Sequence, residues 1–189
     1  MLVILCGKSS CGKDTLEKML KQSGFEPIVS TTTRPMREGE VEGREYYFVS
    51  REQFLAKLDA GQMLEYRSYD TTVGGVPDTW YYGNEYRELD AAKAYVTILD
   101  LEGAKAFRKA YGDQCFVVYI QADDAQRTEW AKMRGSFDSQ EWHRRMLADK
   151  EDFAMSKVSE VCDHMIVNDK DIYTLLDKFT GAYQDHFVK

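Results

Sequence analysis

Residues Leu2–Thr15 read LVILCGKSSCGKDT, an apolar run that breaks at once into a glycine-bounded turn. Leu2–Cys6 has the unbroken apolar character of a strand buried on both faces of a parallel sheet. Behind it Gly7, four residues, Gly12 and Lys13 match the phosphate-loop pattern up to its last position. Glycines at these places let backbone N–H groups turn inward around phosphate oxygens. The helix that follows adds its dipole, and Lys13 brings a point charge to the outer phosphates of a bound nucleotide. Gly7, Ser9, Ser10, Cys11, Gly12, Lys13, Asp14 and Thr15 are therefore the candidate nucleotide-binding set, with Lys13 in a catalytic role. Asp14 departs from the pattern, which has a Ser or Thr hydroxyl on Mg²⁺ there; a carboxylate is itself a hard oxygen ligand for that ion.

Outward from this turn the chain alternates. Tyr95–Leu99, Cys115–Ile120 and His164–Val167 read as further buried strands, and Lys13–Gln22, Glu102–Tyr111, Asp124–Met133 and Asp171–His186 as helices. Gly24 and Gly112 stand where helices stop. The rhythm predicts a doubly wound α/β core with a central parallel sheet. Asp100, at the end of the strand Tyr95–Leu99, is the candidate second acidic partner for Mg²⁺. The chain has 189 residues and a formal net charge of −7, which excludes a broad basic face for nucleic acid but not a local arginine cluster. Its four cysteines form no CxxC pair, and its three histidines have no metal-ligand spacing. No apolar run is long enough to cross a bilayer, and a cytoplasmic protein with no membrane partner is expected.

Two regions interrupt the alternation. Residues 30–84 read as short strands and turns around one helix, announced by the capping box Ser50–Gln53 and stopped by Gly61. Within them Asp70–Thr79, DTTVGGVPDT, reads as a loop by its glycines and proline. Residues 123–157 are helical, charged and rich in arginine, broken at Gly135 and Ser136, with Asp138 and Glu141 as a second capping box. An arginine-bearing helical hairpin of this kind has the make-up of a mobile lid.

The stretch Ser30–Phe48, STTTRPMREGEVEGREYYF, holds Arg34 and Arg37 around Pro35, with Tyr46 behind them. Two guanidinium forks and a phenol suit a phosphate monoester. This segment resembles the acceptor-binding signature of guanylate kinases, and the likeness runs through most of the chain. Met63–Tyr66, Tyr81-Tyr82-Gly83, Ile98-Leu99-Asp100 and Ile166–Asp169 resemble that family's later motifs, as does the spacing of Arg134 and Arg145. The resemblance implies that Ser30, Arg34, Arg37, Tyr46 and Tyr82 hold the acceptor nucleotide, and that Glu65 accepts hydrogen bonds from guanine. Arg134 and Arg145 are implied to close over the transferring phosphoryl group, and Asn168 to lie near the adenine of ATP. Arg37 joins Lys13, Arg134 and Arg145 in the implied catalytic set, and Asp100 joins the acceptor side.

Several positions depart from the family. Asn84 replaces a Ser or Thr, with an amide able to donate to guanine O6. Ile98 stands where an aspartate is usual, and Trp130 stands in place of a lid arginine, with Arg127 or Lys132 near enough to supply the charge. The expected architecture is a three-layer P-loop NTPase core (1–29, 87–122, 160–189) carrying an acceptor-binding subdomain (30–86) and a helical lid (123–159). The implied reaction uses ATP and Mg²⁺ to convert GMP, or dGMP, to the diphosphate, in a monomer or homodimer. A kinase of another phosphate ester, such as ribose 1,5-bisphosphate, or of other deoxynucleoside monophosphates is one alternative. A non-catalytic guanylate-kinase-like binding module is the other.

Overall fold

The computed structural model describes residues 1–73, 75–133, 137–169 and 171–187. They divide into two compact units, residues 1–26 with 91–187, and residues 27–90. The strands are β1 (Leu2–Cys6), β2 (Glu26–Pro27), β3 (Ser30–Thr32), β4 (Tyr46–Phe48), β5 (Met63–Val73), β6 (Val76–Glu85), β7 (Tyr95–Ile98), β8 (Cys115–Gln121) and β9 (His164–Val167). The helices are α1 (Lys13–Gln22), α2 (Arg51–Asp59), α3 (Leu101–Tyr111), α4 (Asp124–Met133), α5 (Ser139–Asp152), α6 (Met155–Val161) and α7 (Ile172–Phe187).

The larger unit is built on a sheet in the order β2-β7-β1-β8-β9. β1 pairs in parallel with β7 and with β8, and β8 in parallel with β9. Every residue of β1 is buried, as its unbroken apolar run requires. Alternate strand residues send side chains to opposite faces. Val3, Leu5, Val96, Phe116, Val118 and Ile120 join Leu16 and Leu20 of α1 and Leu175, Phe179 and Ala182 of α7 in one core cluster. α3 packs against β1, β8 and α6, burying Ala104 and Phe107. Helices on both sides of the sheet make the expected three-layer α/β core. Asp100 caps α3 by accepting the Gly103 N–H at 2.7 Å. Among the described residues no helix is long and apolar enough to cross a membrane.

The smaller unit is a sheet in the order β4-β3-β6-β5. Helix α2 starts on the predicted capping box: Ser50 accepts from the Gln53 N–H, and the Gln53 side chain accepts from the Ser50 N–H. The expected loop Asp70–Thr79 is instead the end of a long antiparallel hairpin. β5 and β6 stay in register from Glu65–Asn84 out to Val73–Val76. The ladder continues through Pro77, paired with Thr72, out to Val73–Val76, so the punctuating residues of this stretch lie in a hairpin rather than a loop. The second expected box, at Asp138, is half formed. Asp138 accepts the Glu141 N–H, but the Glu141 side chain binds Arg144 and Arg145 instead of reaching back.

Gly83 is fixed by its neighbours. A Cβ there would lie 2.6 Å from Met63 Cε and 2.7 Å from the Glu65 carbonyl oxygen, beside the β-bulge between Met63 and Glu65. Gly83→Ala should therefore cost about 1–3 kcal/mol of stability through overpacking. A lowered thermal midpoint checks this; an unchanged midpoint would show that the bulge relaxes freely.

Candidate functional site

In the larger unit the phosphate loop joins β1 to α1 with left-handed backbone at Gly12 (φ 106°) and Ser10 (φ 58°), and with φ 149° at Gly7. Ser10 is the non-glycine residue with positive φ among the described residues. No side chain fits at the two loop glycines. A Cβ on Gly7 would sit 2.5 Å from the Ile120 carbonyl oxygen, and one on Gly12 would sit 2.6 Å from Asn168 Nδ2. Asn168 is buried and ties the loop down: its Nδ2 donates to the Cys11 carbonyl at 3.0 Å, and its backbone N–H to Gln121 O at 2.7 Å. Lys13 Nζ curls over the loop, donating to the carbonyls of Gly7 (2.6 Å) and Lys8 (2.9 Å). Burial pushes the Cys11 thiol up, which keeps it protonated and out of nucleophilic chemistry.

Two cavities flank the loop. One, of about 280 Å³, is lined by Ser10, Gly12, Thr15, Trp130, Asn168, Asp171 and Ile172. Its mix of an indole, an aliphatic side chain and a few polar groups suits a planar base and its sugar. The second, of about 180 Å³, is lined by Ser10 together with Phe137, Asp138, Glu141, Trp142 and Arg145 among others. Arg145 therefore faces the same space as the phosphate loop, while its Nε donates to Glu141 at 2.8 Å. Arg144, then Arg145, hold the Glu141 carboxyl down at about 2. Arg134 lies outside the described residues.

Arg127 does not stand in for the missing lid arginine. It is 0% exposed, and its donors reach Ser9 O (2.7 Å), Asp124 (2.6 Å) and Asp149. Asp149 in turn accepts from the Ser9 N–H at 2.9 Å and from the Ser9 hydroxyl at 3.2 Å. Sequence reasoning had no reason to select Asp149, and it gave Trp130 only the role of a lost arginine. The one signal available was Trp130 on the α4 pattern four residues before Arg134, close in space to the phosphate loop.

Asp14 lies in the first turn of α1, and Asp100 spends one carboxylate oxygen capping α3. Among the described residues no group of three or more His, Cys, Asp or Glu side chains is arranged to hold a metal alone. Mg²⁺ takes one or two carboxylates and fills its remaining positions with phosphate oxygens and water, so the carboxylates of Asp14 and Asp100 are of the chemistry that ion takes.

In the smaller unit the candidate acceptor residues Ser30, Tyr46, Glu65, Tyr82 and Asn84 fall on β3, β4, β5 and β6, and Arg34 and Arg37 on the segment between β3 and β4, whereas Asp100 belongs to the larger unit. Asn84 is 2% exposed and bridges two of them: it accepts the Ser30 hydroxyl at 3.0 Å and donates to Glu65 Oε1 at 2.7 Å. Glu65 and Asn84 are direct cross-strand partners, which is why their side chains meet. Arg34 is also buried, with its guanidinium 5.5 Å from the centre of the Tyr46 ring. Tyr46 in turn meets Tyr82 edge to face. Arg34 pairs with Glu40 at 2.6 Å, which raises the guanidinium pKa further and lowers that of the carboxyl. Arg37 is exposed, and its backbone N–H also binds Glu40, at 2.7 Å.

Comparison with known proteins identifies the family. The family model described as guanylate kinase matches residues 1–183. The guanylate kinase of Enterococcus faecalis is 34% identical over 173 residues, which is 90% of this chain and 81% of that protein. That of Symbiobacterium thermophilum is 34% identical, covering 89% and 78%. A crystal structure of guanylate kinase from Anaplasma phagocytophilum superposes with a TM-score of 0.64 at 25% identity, over 100% of this chain and 87% of that one. With the phosphate-loop pattern set between β1 and α1 and a family match over nearly its whole length, the chain belongs to the guanylate kinase family.

Proposed function

We propose that this chain is a nucleoside monophosphate kinase that transfers the γ-phosphoryl group of ATP to GMP, giving ADP and GDP. The observation that carries the acceptor reading is the Glu65–Asn84 pair, a carboxylate and an amide hydrogen-bonded side by side on neighbouring strands. Guanine offers N1–H and N2–H as donors and O6 as acceptor along one edge. Glu65 accepts from the donors and the Asn84 amide gives to O6, while adenine presents the reverse pattern. Ser30 holds the amide in the orientation that keeps its NH₂ toward Glu65. Arg34, Arg37, Tyr46 and Tyr82 take the acceptor phosphate, with Arg34 exchanging Glu40 for a phosphate fork.

On the donor side Gly7–Thr15 cradles the triphosphate, and Lys13 leaves its own loop carbonyls for the β and γ phosphates. The base enters the cavity between Trp130 and Ile172, with Asn168 at its floor. A phosphate oxygen of GMP attacks the γ-phosphorus as the bond to the β–γ bridging oxygen breaks, and that oxygen leaves on ADP with the electron pair. The attacking oxygen is already anionic, so no general base is required. What the chain supplies is positioning and charge: Lys13, with Arg37, Arg134 and Arg145, screens two polyanions that repel each other. Asp14 and Asp100 are the residues that would hold Mg²⁺, whose chemistry is to neutralise the β and γ oxygens. The chain is acidic overall, with a formal net charge of −7, so it acts on small molecules rather than nucleic acid, and a cytoplasmic setting follows from that reading.

The Lys13 ammonium held over the phosphate loop argues against a purely protein-binding module, which has no use for a cation there. The Glu65–Asn84 pair argues against ribose bisphosphates, which carry no base to read.

An acceptor panel of GMP, dGMP, AMP, CMP, UMP, dTMP and ribose 1,5-bisphosphate, with ATP and Mg²⁺, tests the reading through ADP release. A response to GMP or dGMP is expected; a response to another acceptor alone would remove Glu65 from base reading. Lys13→Ala should lower kcat by about 10²–10³-fold with the thermal midpoint kept, because it removes a charge needed most in the transition state. Ordinary turnover in that variant would end the phosphate-loop assignment. Glu65→Ala should cut kcat/KM for GMP by roughly 10- to 100-fold, the worth of hydrogen bonds to a charged group, while leaving the slow AMP reaction unchanged. Equal losses on both acceptors would place Glu65 in folding instead.

A further inference from the structure

Beyond the residues of the phosphate-loop motif, the structure contains a second device directed at that loop. Arg127 of α4 and Asp149 of α5 form an ion pair that is 0% and 7% exposed, and between them they engage every polar group of Ser9. The Arg127 Nε donates to the Ser9 carbonyl at 2.7 Å. The Asp149 carboxylate accepts the Ser9 N–H at 2.9 Å and the hydroxyl at 3.2 Å. The next residue, Ser10, holds φ 58°, a conformation that costs a side-chain-bearing residue free energy and persists only where its surroundings over-determine it. Ser9 is where that determination enters. In a trans peptide the carbonyl of one residue and the N–H of the next point in opposite directions. Anchoring Ser9 O on Arg127 thus also sets the direction of the Ser10 N–H, the donor that opens the phosphate-binding turn.

We propose that Arg127 and Asp149 are positioning residues for phosphate binding, a clamp that aims the Ser10 N–H by fixing the Ser9 peptide. Stability alone gives little reason to bury such a pair. Two desolvated charges roughly break even, and apolar replacement of both partners is commonly neutral or stabilising. What apolar groups cannot do is orient a peptide plane. Arginine is needed because one rigid fork serves Ser9 O, Asp124 and Asp149 at once, a span a single ammonium does not cover. Because the two residues sit on α4 and α5, the clamp also ties both helices to the shape of the phosphate loop.

The clamp rests on the reading that Gly7–Thr15 binds the phosphates of ATP, and its test is made on binding rather than turnover. Titration calorimetry with ATP and with inorganic tripolyphosphate would be run on the full chain and on Arg127→Met/Asp149→Leu, Arg127→Lys and Asp149→Asn, beside a thermal melt of each. The double variant is expected to keep its thermal midpoint within a few degrees while both affinities fall about tenfold or more, as misplacement of a binding group produces. Should the double variant fail to fold, Arg127→Lys decides, since it retains the buried charge and loses the Ser9 contact; the same fall is expected. Wild-type affinity in a folded variant overturns the clamp. So does a loss of affinity that merely tracks the loss of thermal midpoint across the three variants. A wild-type chain that binds neither ligand takes the phosphate-loop reading and the clamp down together. One that binds ATP yet phosphorylates no GMP overturns the proposed acceptor alone and leaves the clamp to be judged by its own variants.

Discussion

Backbone approaches too close for any side chain govern the donor half of this molecule. At Gly7 the loop lies against the Ile120 carbonyl at the end of β8, and at Gly12 against the Asn168 amide just after β9. Asn168 answers on both sides, its side chain on Cys11 O and its N–H on Gln121 O. The carboxyl ends of β1, β8 and β9 and the start of α1 are thereby drawn into one piece. Ligands of open α/β sheets sit at such strand ends, and here the loop, the flanking cavities and Arg145 all gather there. A methyl group at Gly7 or Gly12 would push apart the elements that shape the site, so the glycines serve packing and phosphate access together.

The acceptor-type half follows the same logic with side chains. Its sheet is half solvated, yet Thr31, Thr32 and Asn84 are buried on it and Arg34 just after β3. Buried polar groups need partners. Each has one: Thr31 on Glu85, Thr32 on the Tyr81 carbonyl, Arg34 on Glu40, and Asn84 between Ser30 and Glu65. The amide of Asn84 has a fixed direction because both ends are occupied. A serine or threonine at that place has a rotating hydroxyl, so the exchange for asparagine trades an adaptable donor for an oriented one. That orientation depends on the close pairing at Gly83, which brings β5 and β6 together at the bulge.

Much of this was legible in the chain, for physical reasons that differ from part to part. β1, α1, α4 and β9 fall on the residues expected, because unbroken apolar runs and glycine stops are local signals. The capping box at Ser50 is equally local. The hairpin end Asp70–Thr79 was misread because Gly-Gly and Pro punctuate loops and hairpins alike, and only the cross-strand register separates the two. Glu141 illustrates a competition: its N–H meets Asp138 as the box predicts, but two guanidinium groups one turn on outbid the Asp138 N–H for its carboxylate. Arg127 was the deeper miss. On α4 it reads as one more charge on a solvated helix, and its burial depends on Asp149, 22 residues away and on another helix. No periodicity within either helix carries that information.

The cations show how an acidic protein is arranged to handle polyanions. With a net charge of −7, long-range attraction does not bring nucleotides in, so recognition has to be local. Lys13 is held by loop carbonyls, Arg34 by Glu40, and Arg145 by Glu141, whose carboxyl stays ionised down to about pH 2. Each cation is thus oriented and already partnered at neutral pH. An incoming phosphate must displace that partner, and the exchange is favourable only where several donors converge on it at once. On the proposed reading, a ligand that offers several phosphate oxygens at once replaces more of these bonds than a lone anion does. Pre-paired cations of this kind would select a ligand by the arrangement of its oxygens rather than by charge alone.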